Sequence, residues 1–291
     1  MHLQLQQLLS LGVIVFLGTY MGNMYLSISS LFIILFSTVL IEHMFIYMKE
    51  KRLQYISFSS LSTAIGVMLM LVTPYVWLTV LAIALGLIQK QFLTIENRHF
   101  FNPSNFALIM ALLFFYNDAH LVLGQLGDTL WLKLVLVVVA LAILVRVKRW
   151  IIPLSFVGFY LLFEYILVVS YDPVLIMEEV YHRFYSVSFM LFILFMLTDP
   201  KTTPQNLWYQ LGFSLFLALG AAFLDRIYGF RVQHLFMILF LLTPLVPLLT
   251  TWQKSNNKKR LIILTVIMFS LALSVIIFVQ SQPPYYFEMD I

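Results

Sequence analysis

The sequence predicts an all-α, polytopic transmembrane helical bundle, and three observations carry that reading. Of the 291 residues, 62% are hydrophobic and only 10% are charged, against about a quarter charged in an ordinary soluble domain. The mean hydropathy is +0.96. The basic residues fall in short loops between apolar runs, where they act as topology signals. A pI of about 9.2 would suggest nucleic acid in a soluble chain; here no nucleic-acid partner is expected, and the lipid bilayer is the immediate environment. The absence of cysteine excludes disulfides, thiolate nucleophiles and cysteine-ligated clusters. No extramembrane stretch is long enough for a second core, so residues 1–291 read as a single integral membrane domain. Residues 1–7 carry no Lys or Arg, and no small-x-small site follows the first apolar run, so no cleavable signal is expected.

A spanning helix needs about 20 residues. In chain order, apolar runs at 7–22 and 25–48 supply the first two spans. The stretch 56–89 is too long for one straight span, and Thr73-Pro74 divides it into 56–72 and 75–89. The run at 102–117 is short and begins in an Asn-Pro pair, which suits a broken or re-entrant helix as well as a full span. Further spans are expected at 130–146, 150–170, 185–198, 206–224, 232–251 and 261–280. The count is ten or eleven, with broken helices among them. A cytoplasmic N-terminus puts Lys49, Lys51, Arg52, Lys90, Arg98, Arg146, Lys148, Arg149, Lys201, Lys254, Lys258, Lys259 and Arg260 inside, and leaves Lys133, Arg183, Arg226 and Arg231 outside. That is the asymmetry of the positive-inside rule; the expected location is a bacterial inner membrane. All five tryptophans, Trp77, Trp131, Trp150, Trp208 and Trp252, lie near expected span ends, where amphipathic rings prefer the headgroup layer.

Two polar, proline-bearing stretches interrupt this pattern: Arg98-His99-Phe100-Phe101-Asn102-Pro103-Ser104-Asn105-Phe106 and Phe195-Met196-Leu197-Thr198-Asp199-Pro200-Lys201-Thr202-Thr203-Pro204. Unpaired backbone groups are costly in hydrocarbon, so such segments belong at a membrane face or around a protected cavity. Asn102 before Pro103 has the form of a helix start, with the Asn side chain as cap and proline at the first helical position. Asp199-Pro200 reads the same way, with Lys201, Thr202 and Thr203 as donors. The threading puts both on one face, as two halves of one pocket. The candidate cofactor-binding residues are therefore Arg98, His99, Asn102, Ser104, Asn105, Thr198, Asp199, Lys201, Thr202 and Thr203. The plainer alternative for both motifs is a structural cap or an interfacial turn.

The run from Lys90 to Phe106, together with Phe195 to Pro204, resembles the two motifs of the NqrB/RnfD family, membrane subunits of ion-coupled NADH:quinone and NADH:ferredoxin oxidoreductases. Lys201-Thr202-Thr203-Pro204 and Gly124-Gln125-Leu126-Gly127 look closer to its UnbU-type stand-alone branch. The resemblance covers a core of about 50–225. It implies electron transfer through flavins, with redox or other membrane proteins as partners. One departure limits that implication: the family attaches FMN to the threonine of a Ser-Gly-Ala-Thr type sequence, and no Gly-Ala-Thr occurs in this chain. Covalent FMN is thus not expected, which leaves non-covalent FMN, riboflavin or a quinone. The alternative is a transporter, channel-like or structural membrane partner that has kept the fold without a cofactor.

Three further polar groups bear on function. Glu164 lies inside the expected span 150–170, where an ionised carboxylate costs about 2.5–3.5 kcal/mol or more at the bilayer centre. It reads either as a proton or cation relay or as a neutral, hydrogen-bonded group. Glu42 and His43 sit near the inner end of their helix and read as interfacial. The histidines at 43, 99, 120, 182 and 234 are isolated, without the spacing of a metal clamp, so no metal site is expected; His182 and His234 are the pair that would meet at the outer face.

Overall fold

The computed structural model describes residues 27–51, 58–95, 98–121, 150–172, 175–184, 186–251 and 258–281, with short pieces inside 5–16 and 134–142. The spans expected at 7–22 and 130–146 fall mostly outside the described residues. So do the Gly124-to-Gly127 run, residues 252–257 and the tail beyond 281.

The chain is built from helices, and their starts and stops follow local chemistry. The first described helix, α1 (Ile28–Glu50), is capped by Ser27, whose side chain accepts from the Ser30 N–H, and ends where Lys51 turns left-handed at φ 56°. Next come α2 (Phe58–Met70), the short strand β1 (Leu71–Val72) and α3 (Val76–Phe92). The break between the two helices contains Thr73-Pro74, as expected. A tight hairpin, β2 (Thr94–Ile95) and β3 (Arg98–His99), then leads into α4 (Pro103–Phe114) and β4 (His120–Leu121). β1 pairs antiparallel with β4, and β2 with β3. These two-residue ladders satisfy extended backbone where helices stop, which a membrane protein must do internally.

The second half begins with α5 (Ile151–Phe163), which loosens into the π-helical stretch π1 (Glu164–Val169). A short helix α6 (Met177–Arg183) follows, then α7 (Val187–Leu191) passing into π2 (Phe192–Met196). The long helix α8 (Leu207–Tyr228) starts at the Asn206 cap and stops at Gly229, whose φ of 86° suits glycine. The remaining helices are α9 (Gln233–Leu242), α10 (Leu245–Thr251) and α11 (Lys258–Ser281).

Among the described residues, Ile28–Glu50, Ile151–Val169, Leu207–Tyr228 and Leu261–Ser281 are long and apolar enough to cross a membrane. The helices at Phe58–Met70, Val76–Phe92 and Pro103–Phe114 are shorter. The segment expected as one span at 185–198 has ten helical residues, Val187 to Met196, or about 15 Å at 1.5 Å per residue. That is half a hydrocarbon core. The stretch expected at 232–251 is interrupted at Thr243-Pro244, where proline removes a backbone donor.

Packing joins two groups of helices. α1, α2, α3 and α4 form one, with α3 lying so close to α4 that a Cβ on Gly86 would come within 2.5 Å of the Pro103 carbonyl oxygen. α5, π1, α8 and α9 form the other. Ser214 of α8 donates to the Ile152 carbonyl at 3.1 Å, and further along Asp225 and Tyr160 share Arg183, so α5 and α8 run parallel. The groups meet where α9 packs on α4, with Phe240 stacked on Phe101 at 4.4 Å and beside Phe106 at 5.8 Å.

Glu42 is buried within the bundle rather than exposed to water. It is 1% exposed, accepts a hydrogen bond from Ser60 and pairs with Lys90 at 3.0 Å. Its helical position near the chain's basic stretch suggested water, but α2 and α3 close over that face. His43, one residue on, is partly exposed.

Candidate functional site

The two proline segments meet. The β2–β3 hairpin pairs Thr94 with His99 and so fixes the approach to α4. Asn102 then caps that helix: its Oδ1 accepts from the N–H groups of Ser104 at 3.1 Å and Asn105 at 3.3 Å, with Pro103 at the first position. The other end of the same amide donates from Nδ2 to Asp199 Oδ2 at 3.2 Å, and His99 Nε2 lies 3.4 Å from that oxygen.

Asp199 does not start a helix. Its Oδ1 accepts from the Lys201 N–H at 3.0 Å. Its carbonyl oxygen takes the Thr203 N–H at 3.1 Å and the Thr203 hydroxyl at 2.6 Å. This is one turn that goes no further, because Pro204 has no N–H to continue it and disfavours helical geometry at Thr203. The following helix, α8, begins three residues later under Asn206, whose Oδ1 accepts from Trp208 at 2.9 Å. Gln210 ties the turn to α8 by donating to the carbonyls of Pro204 and Gln205.

A partly open cavity of about 190 Å³ lies against this junction. Of the ten residues proposed from the sequence, His99, Asn102, Ser104, Asp199 and Lys201 line it. The other five lie behind or beside it. Arg98 is half-buried on β3. Asn105 is fully buried with neither end of its amide hydrogen-bonded. Thr198 returns its hydroxyl to the Leu194 carbonyl at 2.5 Å. Thr202 and Thr203 are buried within the turn. The opposite wall brings hydroxyls not anticipated from sequence, Ser59, Ser62 and Thr63 of α2, and the apolar side is Leu191, Phe195 and Met196. The signal for the hydroxyl wall was present, as Ser59-Ser60-Leu61-Ser62-Thr63 is an unusually polar run within a spanning segment.

The electrostatics of the cavity are mixed in sign. Burial would raise the Asp199 carboxyl, but the His99 hydrogen bond and charge, aided by the backbone and charge of Lys201, hold it below the usual carboxylate range. An ionised Asp199 thus orients His99 and Asn102, while the Lys201 ammonium supplies positive charge at the exposed rim. A pocket of this size is below the roughly 300–1,000 Å³ of sites for drug-sized ligands.

A second polar cluster lies at the far end of α8. Arg183 donates from Nη1 to Asp225 Oδ2 at 2.9 Å and to the Tyr160 hydroxyl at 2.6 Å, with its guanidinium 3.2 Å above the Phe230 ring. His234 Nδ1 is 2.5 Å from Asp225 Oδ1, which also accepts from the Arg231 N–H at 3.0 Å. Glu164 is fully buried beside them. Sequence reading singled out Glu164, but placed Arg183 only as an outer-face charge and paired His234 with His182, which is exposed.

Helices of full and partial length, broken by proline-bearing turns that converge on a partly open polar cavity, define an integral membrane protein. The model of the NQR2, RnfD, RnfE family matches residues 116–259, and the chain belongs to that family. Its members are membrane subunits of Na⁺-NQR and Rnf electron-transport complexes. The matched stretch holds the Asp199 turn and the whole second cluster, whereas the Asn102 segment precedes it. It also runs past residue 225, further than the resemblance read from the motifs. No curated protein matches the chain.

Proposed function

We propose that the chain is a membrane-integral electron-transport subunit that binds a flavin or quinone non-covalently between the Asn102 cap and the Asp199 turn. The observation that supports this reading most is the direct Asn102–Asp199 hydrogen bond at the cavity. Two segments separated by 97 positions are brought together there with His99, Ser104 and Lys201. Carbonyl oxygens of such a ligand gain negative charge on reduction. Lys201 and His99 are placed to stabilise that charge, Ser104 and the α2 hydroxyls to orient the ring, and Leu191, Phe195 and Met196 to exclude water from its face. The partners in this reading are other membrane redox subunits, and the setting is a bacterial inner membrane with the N-terminus in the cytoplasm. A transporter or scaffold role is the second reading, favoured by one observation: Asn102 and Asp199 already satisfy one another, so the junction holds without a ligand.

The absorption spectrum of the purified full chain separates the two. A flavin or quinone spectrum that is lost or weakened in N102A and D199A, with membrane insertion unchanged, is the expected result. A wild-type preparation without chromophore that also fails to bind added menadione or riboflavin removes the redox reading.

A further inference from the structure

Glu164 is the first residue of π1 and is fully buried; its carboxyl oxygens complete no hydrogen bond of good geometry, and Asp225 and Tyr160 are close enough to interact with them. Single π-helical stretches inside helices often mark functional positions. The groups that face it, among the described residues, come from every neighbouring element: Tyr160 from α5, Arg183 from α6 and Asp225 from α8, with His234 of α9 behind Asp225. Arg183 has a spare donor in this cluster, since Nη2 is buried without a partner. Burial works against the guanidinium charge, but Asp225 outweighs it and keeps Arg183 ionised. No three His, Cys, Asp or Glu side chains among the described residues are arranged to hold a metal ion.

Counting charge in this enclosed space limits its occupancy. Arg183 contributes one positive charge; Glu164 and Asp225, if both ionised, contribute two negative ones. A single proton restores neutrality, and it has two places to sit. On Glu164 it leaves His234 neutral, donating from Nδ1 to Asp225. On His234 it leaves Glu164 ionised and free to take the spare Arg183 Nη2. Without it, one uncompensated charge stays buried, the costly condition for an interior ion.

We propose that Glu164, Asp225 and His234 form a one-proton binding site, framed by Arg183 and Tyr160, at the end of α8 opposite the cavity. The proton is held on Glu164 in the arrangement seen here, and passes to His234 when Arg183 turns toward Glu164. Neither state changes the total charge, so the proton can pass between Glu164 and His234 without leaving a bare ion, whereas its release would leave one. This inference does not depend on a flavin or quinone in the cavity.

Infrared spectra of the full chain in proteoliposomes test it. At neutral pH the wild type should show a protonated-carboxyl C=O stretching band that shifts in D₂O and is lost in E164Q. The more conservative E164D, which serves if E164Q does not fold, should move the band. D225N leaves Arg183 with Glu164 as its one carboxylate, so that variant should lose the band as Glu164 ionises, while H234Q, which removes the second proton holder, should retain it. A wild type without such a band, a band indifferent to both Glu164 variants, or one that persists in D225N would overturn the shared-proton site.

Discussion

Asn102 uses both ends of one amide, Oδ1 for the α4 cap and Nδ2 for Asp199. Its replacement by Ala is expected to cost about 0.5–2 kcal/mol for the cap, read as a lower thermal midpoint in detergent with insertion unchanged. N102D keeps the cap acceptor but sets a second carboxylate against Asp199; its midpoint should fall below that of N102A at neutral pH and recover on acidification. A variant N102D as stable as wild type would show that the two residues do not interact. Asp199 itself gives a pH dependence. Its carboxyl is held below the usual range when folded, so its stabilising contribution is complete above the unfolded value of about 3.9. It is lost as pH falls through the lower folded value. The midpoint gap between wild type and D199N should therefore be constant through neutral pH and close below about pH 4; a gap independent of pH would place the stabilisation elsewhere. The missing Gly-Ala-Thr gives a third expectation: the denatured protein shows no in-gel flavin fluorescence even with a flavin transferase co-expressed, and a band surviving denaturation would refute it. The Asn102 cap was legible because Asn-Pro is a local rule. Arg183, Asp225 and His234 were not, since no sequence interval links a short helix, the end of a long one and the start of another.

At the scale of elements, the tight α3–α4 crossing can be tested by two glycines. Gly86 to Ala drives a Cβ toward the Pro103 carbonyl oxygen at 2.5 Å, a backbone atom that cannot rotate away. Overpacking of this kind costs about 1–3 kcal/mol, and the shift also displaces the Asn102 cap. Gly212 to Ala meets nothing within 4 Å on α8, so the better helix former should leave stability unchanged or raise it by up to about 1 kcal/mol. Equal effects in a thermal melt would mean that α3 and α4 are not in contact at Gly86. Proline positions marked most breaks correctly, at Thr73-Pro74 and before α4. The Asp199-Pro200 segment was misread because its first residues obey the same rule as Asn102-Pro103; the deciding residue is Pro204, four positions on, which stops the turn before it becomes a helix. The loosening of α5 into π1 has no marker in the apolar run that forms it.

Across the whole molecule, long helices carry the lipid-facing surface and short ones fill the interior. Phe32, Phe36 and Leu40 on α1, and Ile262, Val266 and Phe269 on α11, are more than half exposed, as expected of side chains against hydrocarbon. α4, by contrast, buries nine of its twelve residues. Hydropathy located nearly every described helix, but it measures apolar length and not depth, so half-length elements such as α7 with π2 were read as full spans. The parallel course of α5 and α8 puts the residues before each on one face, in keeping with the basic residues at Arg149 and Lys201. Reporter fusions after Lys51, Arg149 and Arg260 are all expected to report cytoplasm, and an external signal after Arg149 would overturn the threading. α8 then has an electrical consequence. Asn206, which closes the Asp199 turn, and Asp225 are separated along its axis by 19 residues, about 28 Å, close to the roughly 30 Å hydrocarbon core. A unit charge moved that far crosses nearly the whole transmembrane voltage, worth about 2 kcal/mol per 100 mV. An electron arriving at the cavity and a proton reaching Glu164 from the same side would therefore feel the membrane potential very unequally, the first almost not at all and the second almost in full.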